Sequence, residues 1–143
     1  MLFRSPFCGY NMADYFGHWL ATGTRVAKPP KIFRVNWFRK DDAGKFLWPG
    51  YGDNMRVLKW MLERIEGKAG GVEHIFGTTP QFDDLSWDGI EFTRQQFDRI
   101  TSIDKVAWAA ELQLHNELFD KLKYHLPQDL QAVKARLEQQ LAA

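Results

Sequence analysis

The stretch that decides the fold is KIFRVNWFRKDDAGKFLWPGYGDN, residues 31–54, where an apolar run leads into a loop rich in aromatic residues, glycine and proline. Three aromatic residues of this loop, Phe38, Phe46 and Tyr51, follow neither the helical nor the strand period, and Asn54 directly precedes a helical pattern. Aromatic faces stack on planar rings, and a carboxamide offers a donor and an acceptor to the edge of such a ring. The loop is therefore a candidate site for a planar base, although the same rings could instead fill a small core beneath the loop.

The same loop, together with PFCGYNMADYFGHWL at residues 6–20, closely resembles the C-terminal part of the GTP-dependent phosphoenolpyruvate carboxykinase family. The resemblance covers most of the chain and is densest between Pro6 and Gly67. It implies a mixed, helix-rich α/β fold, a C-terminal fragment of the family's nucleotide-binding domain with short strands and about five helices. It also implies GTP or GDP as ligand. The full-length family enzyme uses manganese or magnesium and converts oxaloacetate and GTP to phosphoenolpyruvate, carbon dioxide and GDP in gluconeogenesis.

The resemblance assigns roles to the candidate residues of the loop. In the family, aromatic residues of this loop form a guanine pocket, which implies that Phe38 and Tyr51 sandwich the base and Phe46 forms a third wall. Many relatives carry Phe where this chain has Tyr51, but a phenol stacks as well as a phenyl ring. Asn54 is implied to read the base edge. Its competing role is that of N-cap for the helix that follows.

Two pairs of residues close in sequence to these candidate aromatics complete the expectations for the loop. We expect Trp37 and Trp48 to anchor the loop in the core rather than to touch a nucleotide. Arg39 and Lys40 are candidates for attracting nucleotide phosphates, or else are solvated loop charges. The chain has a net charge of +1, and its basic residues are concentrated in the half that holds the loop.

Several parts of the family's catalytic apparatus have no counterpart in these residues. A phosphate-binding loop needs a glycine-rich turn that ends in Lys and Ser or Thr. The string GKAGG at residues 67–71 lacks that ending and instead predicts a helix C-cap and turn. The family's metal ligands, oxaloacetate-binding arginines, reactive cysteine and mobile lid lie upstream of the matched region. We therefore expect residues 1–143 to be a single C-terminal segment without catalytic or metal-binding residues, inactive alone, with a guanine-binding loop at 36–54 and a helical part at 93–143.

Composition is typical of a globular domain in a reducing compartment. The 45% of hydrophobic residues can form a core, and the 26% of charged residues can form a surface. No apolar run approaches the roughly 20 residues of a membrane span, so we expect no membrane association of that kind. The single cysteine, Cys8, permits no internal disulfide, and the N-terminus lacks the apolar region of a signal peptide. These features favour a cytoplasmic location.

Local patterns predict the secondary structure of the first half. Asn11 is expected to cap a first helix that stops near Gly23, and the apolar residues at 32–35 predict a short strand that positions the loop. Apolar residues at helical spacing then predict an amphipathic helix between Asn54 and Gly67.

The second half is predicted to be mainly helical. Residues 75–76 could form a short strand, Thr93 and Gln96 form a capping-box pattern, Ser102 could cap the next helix, and Pro127 could start the last one. The expected buried stripes of these two helices are Ile103, Ala107, Ala110, Leu114 and Leu118, then Leu130, Val133, Leu137 and Leu141.

Two further functions remain open at this point. The chain could be a free-standing, non-catalytic helical interaction module in which the aromatic loop is structural. Single-stranded nucleic-acid binding is less favoured, because the C-terminal half is acidic rather than uniformly basic. The expected partners are therefore a guanine nucleotide, and either the N-terminal portion of the enzyme or a second copy bound through exposed helices, with no nucleic acid.

Overall fold

The computed structural model describes residues 9–142, so Cys8 lies outside the described residues. Over this range it contains five α-helices and one two-stranded sheet, in agreement with the expected helix-rich α/β fold. The elements are α1 (Met12–Arg25), α2 (Asn54–Ile65), β1 (Val72–His74), β2 (Gly77–Thr79), α3 (Arg94–Thr101), α4 (Lys105–Leu122) and α5 (Gln128–Ala142), with 3₁₀ turns at Tyr51–Asp53 and Phe82–Asp84. No helix in the described range is both long and apolar enough to cross a membrane.

The described chain separates into two compact units. The first consists of the residues up to Pro30 and those from Ile103 onward, and contains α1, α4 and α5. The second is Lys31–Ser102, and contains the aromatic loop, α2, the β1–β2 hairpin and α3. The candidate site therefore lies entirely within the second unit.

In the first unit, α1 begins as predicted but ends later. The Asn11 side chain accepts a hydrogen bond from the backbone N–H of Ala13 at 2.9 Å, which confirms its role as N-cap. The helix then passes through Gly23 and ends at Arg25. The prediction of a stop at Gly23 was wrong because a glycine inside a helix costs only about 1 kcal/mol and need not end it.

The other two helices of this unit, α4 and α5, pack against each other. The N-cap of α4 is Asp104, whose carboxylate accepts from two backbone amides of the first turn, so the prediction of Ser102 was wrong. Leu112 is the buried residue of α4, whereas Leu114 of the predicted stripe is exposed. The buried face is set by the position of α5, which the sequence period alone does not define. Leu141 of α5 is buried as predicted, whereas Val133 of the same predicted stripe is exposed.

The core of the second unit is a cluster of buried aromatic and aliphatic side chains. Its buried members are Trp60, Leu85, Phe92 and Phe97. The predicted strand at 32–35 does not form, because no strand within residues 9–142 supplies hydrogen-bond partners to that segment. Phe33 instead packs edge-on against Trp60, with 6.1 Å between ring centroids.

Helix α2 ends in a left-handed glycine turn. Gly67 has a φ of 74°, and its N–H bonds to the carbonyl of Arg64 at 3.3 Å. The N–H of Lys68 bonds to the carbonyl of Glu63 at 2.8 Å, which completes a Schellman motif. This arrangement confirms the C-cap and turn that the GKAGG string predicts.

A short antiparallel hairpin follows, in which Val72 of β1 lies opposite Thr79 of β2. Residues 75–76 form the turn between β1 and β2, so the prediction of a strand at these two residues was wrong. At the foot of the hairpin, a Cβ on Gly71 would lie 2.6 Å from Cγ2 of Thr78, so only glycine fits without displacement. The capping box of α3, formed by Thr93 and Gln96, is confirmed.

Candidate functional site

The aromatic loop is a tight backbone hairpin that holds its own shape. The Asp41 N–H bonds to the carbonyl of Lys45, and the Leu47 N–H bonds to the carbonyl of Arg39, both at 2.9 Å. The Asp41 carboxylate accepts from the Lys45 N–H at 2.8 Å, and Gly44 takes a left-handed φ of 79° in the turn. The loop is therefore closed by short-range bonds and does not depend on a ligand for its path.

The three candidate aromatic side chains stand out from this hairpin and from the turn that follows it. Phe38 is 73% exposed, Phe46 is 50% exposed and Tyr51 is 92% exposed. Phe38 and Phe46 meet edge to face, with 6.1 Å between ring centroids. Within the described residues, the Tyr51 ring contacts neither the Phe38 ring nor the Phe46 ring. Rings exposed to this extent do not fill a core beneath the loop, which was the competing interpretation.

Asn54 lies one position further into α2 than the sequence predicts. It is the first helical residue, and Asp53 is the N-cap. Its Oδ1 accepts a hydrogen bond from the indole Nε1 of Trp48 at 2.7 Å, rather than from a helix amide. The side chain is therefore not used as a helix cap.

The two tryptophans of the loop anchor it as expected. Trp48 is buried, and Trp37 is half-buried against it at 5.3 Å between centroids. Trp48 also contacts the rings of Trp87 and Phe92, each at 6.3 Å. These contacts join the base of the loop to the core of its unit.

The two basic residues beside Phe38 have different environments. The Arg39 guanidinium donates to the carbonyl oxygens of Ile100 and Ser102 and to the Ser102 hydroxyl, at 2.8–3.0 Å. It therefore binds the C-terminal end of α3, and neither interpretation offered by the sequence, phosphate attraction or free solvation, describes it. The Lys40 ammonium lies 4.9 Å from the Phe46 ring centroid, at cation–π distance. The Arg39 contacts have no local sequence signal, since they join residues 61 and 63 positions apart.

In the described range no metal-ligand group accompanies the three exposed rings, and these rings do not line the cavity of about 140 Å³ in the same unit. Over residues 9–142, no group of three or more His, Cys, Asp or Glu side chains is placed to hold a metal ion. A cavity of about 140 Å³ exists in the same unit, and its lining does not include Phe38, Phe46 or Tyr51. Its apolar lining residues are Val35, Trp37, Trp48, Val57, Leu85, Phe97 and Ile100. The three rings thus lie outside this cavity and are exposed to solvent.

Comparisons with known proteins agree with the resemblance. Residues 2–140 match the family described as "Phosphoenolpyruvate carboxykinase C-terminal P-loop domain". The phosphoenolpyruvate carboxykinase (GTP) of Anaeromyxobacter dehalogenans strain 2CP-1 is 49% identical over 125 residues, which cover 87% of this chain and 21% of that protein. The protein of the same name from Neocallimastix frontalis is 46% identical over 141 residues, 96% of this chain and 23% of that protein.

A third relative of that name, from Treponema pallidum strain Nichols, is 43% identical over 136 residues, 93% of this chain and 22% of that protein. The chain thus spans about a fifth of the length of the curated relatives it matches.

Proposed function

The chain belongs to the GTP-dependent phosphoenolpyruvate carboxykinase family, and from that membership we propose that it is the segment that recognises guanine. The observation that supports this proposal most directly is the contact between the Phe38 and Phe46 rings. Both rings are exposed to solvent, on a hairpin that is closed by its own hydrogen bonds. In the proposed site, Phe38 and Tyr51 enclose the base, Phe46 forms a third wall, and Asn54 meets the base edge. The site lies within residues 36–54.

The exposure of these rings gives the proposal an energetic basis. An aromatic side chain in water loses the stabilisation that burial of its apolar surface would give. A nucleobase that stacks on such a ring contributes about 1–3 kcal/mol per base. Stacking alone does not distinguish bases, so guanine selectivity must come from hydrogen bonds at the base edge, where Asn54 is the proposed contact.

We propose further that the whole enzyme acts as a decarboxylating lyase that forms phosphoenolpyruvate, carbon dioxide and GDP from oxaloacetate and GTP, with manganese or magnesium. The described residues do not fit a metal site, so no step at a metal is assigned to this chain. Its proposed share is the binding of guanine, and the proposed location is the cytoplasm. Residues 1–143 by themselves are proposed to be inactive.

One face of α2 is apolar and exposed, and this supports the proposal that a partner docks on it. Trp60 turns into the core, whereas one stripe of the helix stays 41–65% exposed. The stripe consists of Met55, Leu58, Leu62 and Ile65. Because the chain spans only about a fifth of its relatives, we propose that the remainder of a carboxykinase polypeptide covers this face. A free-standing interaction module is the alternative, but it gives no reason for three exposed rings on the loop.

Co-elution in gel filtration tests the docking proposal. The probe is the upstream portion of the Anaeromyxobacter relative, expressed separately and mixed with this chain. We expect a complex that Leu62→Glu abolishes and that Val106→Glu, on an 82% exposed position of α4, leaves intact. Absence of a complex with the unmodified chain would contradict the proposal, as would a self-association of this chain that only Leu62→Glu removes.

Calorimetric titration of the chain with GDP, and with ADP as control, tests the proposed recognition of guanine. Binding of GDP without binding of ADP is the expected result. No binding of either nucleotide would refute the proposal that this chain forms the pocket by itself, and equal binding of both would refute base selectivity.

A further inference from the structure

The orientation of the Asn54 carboxamide is fixed by Trp48. An indole N–H is a donor only, so the atom that faces it at 2.7 Å must be the amide oxygen. The reverse orientation would place the NH₂ group against another donor and leave the half-buried indole N–H without an acceptor.

Trp48 is itself held in place by its neighbours, so its indole N–H can hold the Asn54 carboxamide in a fixed orientation. Its side chain is 9% exposed and contacts three other rings, those of Trp37, Trp87 and Phe92, at 5.3–6.3 Å between centroids. Rotation of the indole would disturb all three contacts. The Nε1 donor therefore keeps a constant position relative to the first residue of α2.

The amide nitrogen of Asn54 takes no part in the bond to Trp48. Within residues 9–142 no group accepts a hydrogen bond from Nδ2. No buried side-chain nitrogen or oxygen lacks a partner in that range, so Nδ2 must be reachable by solvent. Asn54 consequently presents its amide N–H donors to solvent at the end of the aromatic loop, while its oxygen is engaged by Trp48.

We infer that Trp48 is a positioning residue that sets base selectivity by holding Asn54 as an outward donor, an inference that rests on the proposed function. Guanine carries the acceptor O6 where adenine carries the donor N6 amino group. A donor that faces O6 forms a hydrogen bond, whereas a donor that faces the amino group leaves both groups unsatisfied. Without the indole N–H, the carboxamide can turn its oxygen outward and accept from adenine.

Trp48→Phe tests this inference, because it keeps an aromatic ring in the cluster and removes the N–H. The chain is titrated with GDP, IDP and ADP by calorimetry, since IDP keeps O6 but lacks the 2-amino group. We expect the preference for GDP and IDP over ADP to fall about tenfold, and the ratio of GDP to IDP affinities to stay unchanged. Unfolding in urea, measured on the same variant, reports any loss of stability.

Trp87→Phe is the matched control. Trp87 belongs to the same aromatic cluster, and its indole N–H donates to the carbonyl of Phe82 at 2.9 Å, away from Asn54. We expect this variant to retain the base preference of the parent. An equal fall in both variants would overturn the inference, because the effect would then come from packing. A Trp48→Phe chain with the parent's preference would overturn it as well.

A second measurement covers the case in which Trp48→Phe does not fold. In NMR spectra of the ¹⁵N-labelled parent, the indole proton of Trp48 should exchange slowly with solvent, and Asn54→Leu should shift its resonance. A fast-exchanging proton that Asn54→Leu leaves unmoved would overturn the inference. A parent chain with no preference between GDP and ADP would overturn the proposed function itself, whereas a selective parent with an unaffected Trp48→Phe variant would overturn this inference alone.

Discussion

Substitution of Phe38 by alanine separates the proposed binding role of the aromatic loop from its structural role. The ring is 73% exposed, and its contact with Phe46 is edge to face at 6.1 Å. Its backbone N–H bonds to the side chain of Asn36 at 3.1 Å, and alanine keeps that bond. We therefore expect the substitution to remove a proposed stacking surface and to leave the path of the loop unchanged.

The two expected magnitudes differ enough to be measured. Stacking of a base on an aromatic ring contributes about 1–3 kcal/mol, so Phe38→Ala should raise the Kd for GDP about 5- to 150-fold. An edge-to-face ring contact contributes about 0.5–1.5 kcal/mol, and this ring buries little surface, so unfolding should change by at most about 1 kcal/mol. The loss in binding should exceed the loss in stability.

Calorimetric titration with GDP and urea unfolding of the same protein give both quantities. Tyr124→Ala is the control, because Tyr124 is 87% exposed, lies outside the loop and makes one cation–π contact with Lys123 at 5.0 Å. The control should bind GDP as the parent does. If Phe38→Ala also binds GDP with the parent's affinity, Phe38 does not stack on the base.

Two further predictions concern stability. Arg39→Ala removes the bonds between the loop and the end of α3, which include those to the Ser102 carbonyl and hydroxyl. This should lower the free energy of unfolding by about 1–3 kcal/mol. An unchanged urea midpoint would contradict the role of this guanidinium. Gly71→Ala forces a Cβ to 2.6 Å from Thr78 and should cost about 1–3 kcal/mol in thermal unfolding. Gly70→Ala has open space around its Cβ and should unfold like the parent.

The sequence predicts well those features that depend on residues close together in the chain. The caps at Asn11 and Thr93 and the glycine turn at Gly67 each involve partners within about five positions, so their patterns are visible in the residues themselves. The strand predicted at 32–35 fails because a strand needs a partner that the segment does not specify. The buried face of α4 likewise depends on where α5 packs.

The candidate site divides in the same way. Because Phe38, Phe46 and Tyr51 fit neither the helical nor the strand period, the sequence identified them as loop aromatics. All three are exposed. The guanine contacts assigned to them remain a prediction. The sequence did not anticipate that Asn54 pairs with Trp48, or that Arg39 binds the end of α3, because a side-chain hydrogen bond across the fold leaves no periodic signal.

The hairpin and the Arg39 contact also differ in the order in which they can form during folding. The bond from Lys45 to Asp41 spans four residues, whereas that from Arg39 to Ser102 spans 63. Closing the longer loop costs more chain entropy, and contacts between distant residues form late on average. We expect a φ value near zero for Arg39→Ala, so that the substitution speeds unfolding and leaves the refolding rate unchanged. A φ value near one would instead place the contact between the loop and α3 in the folding nucleus.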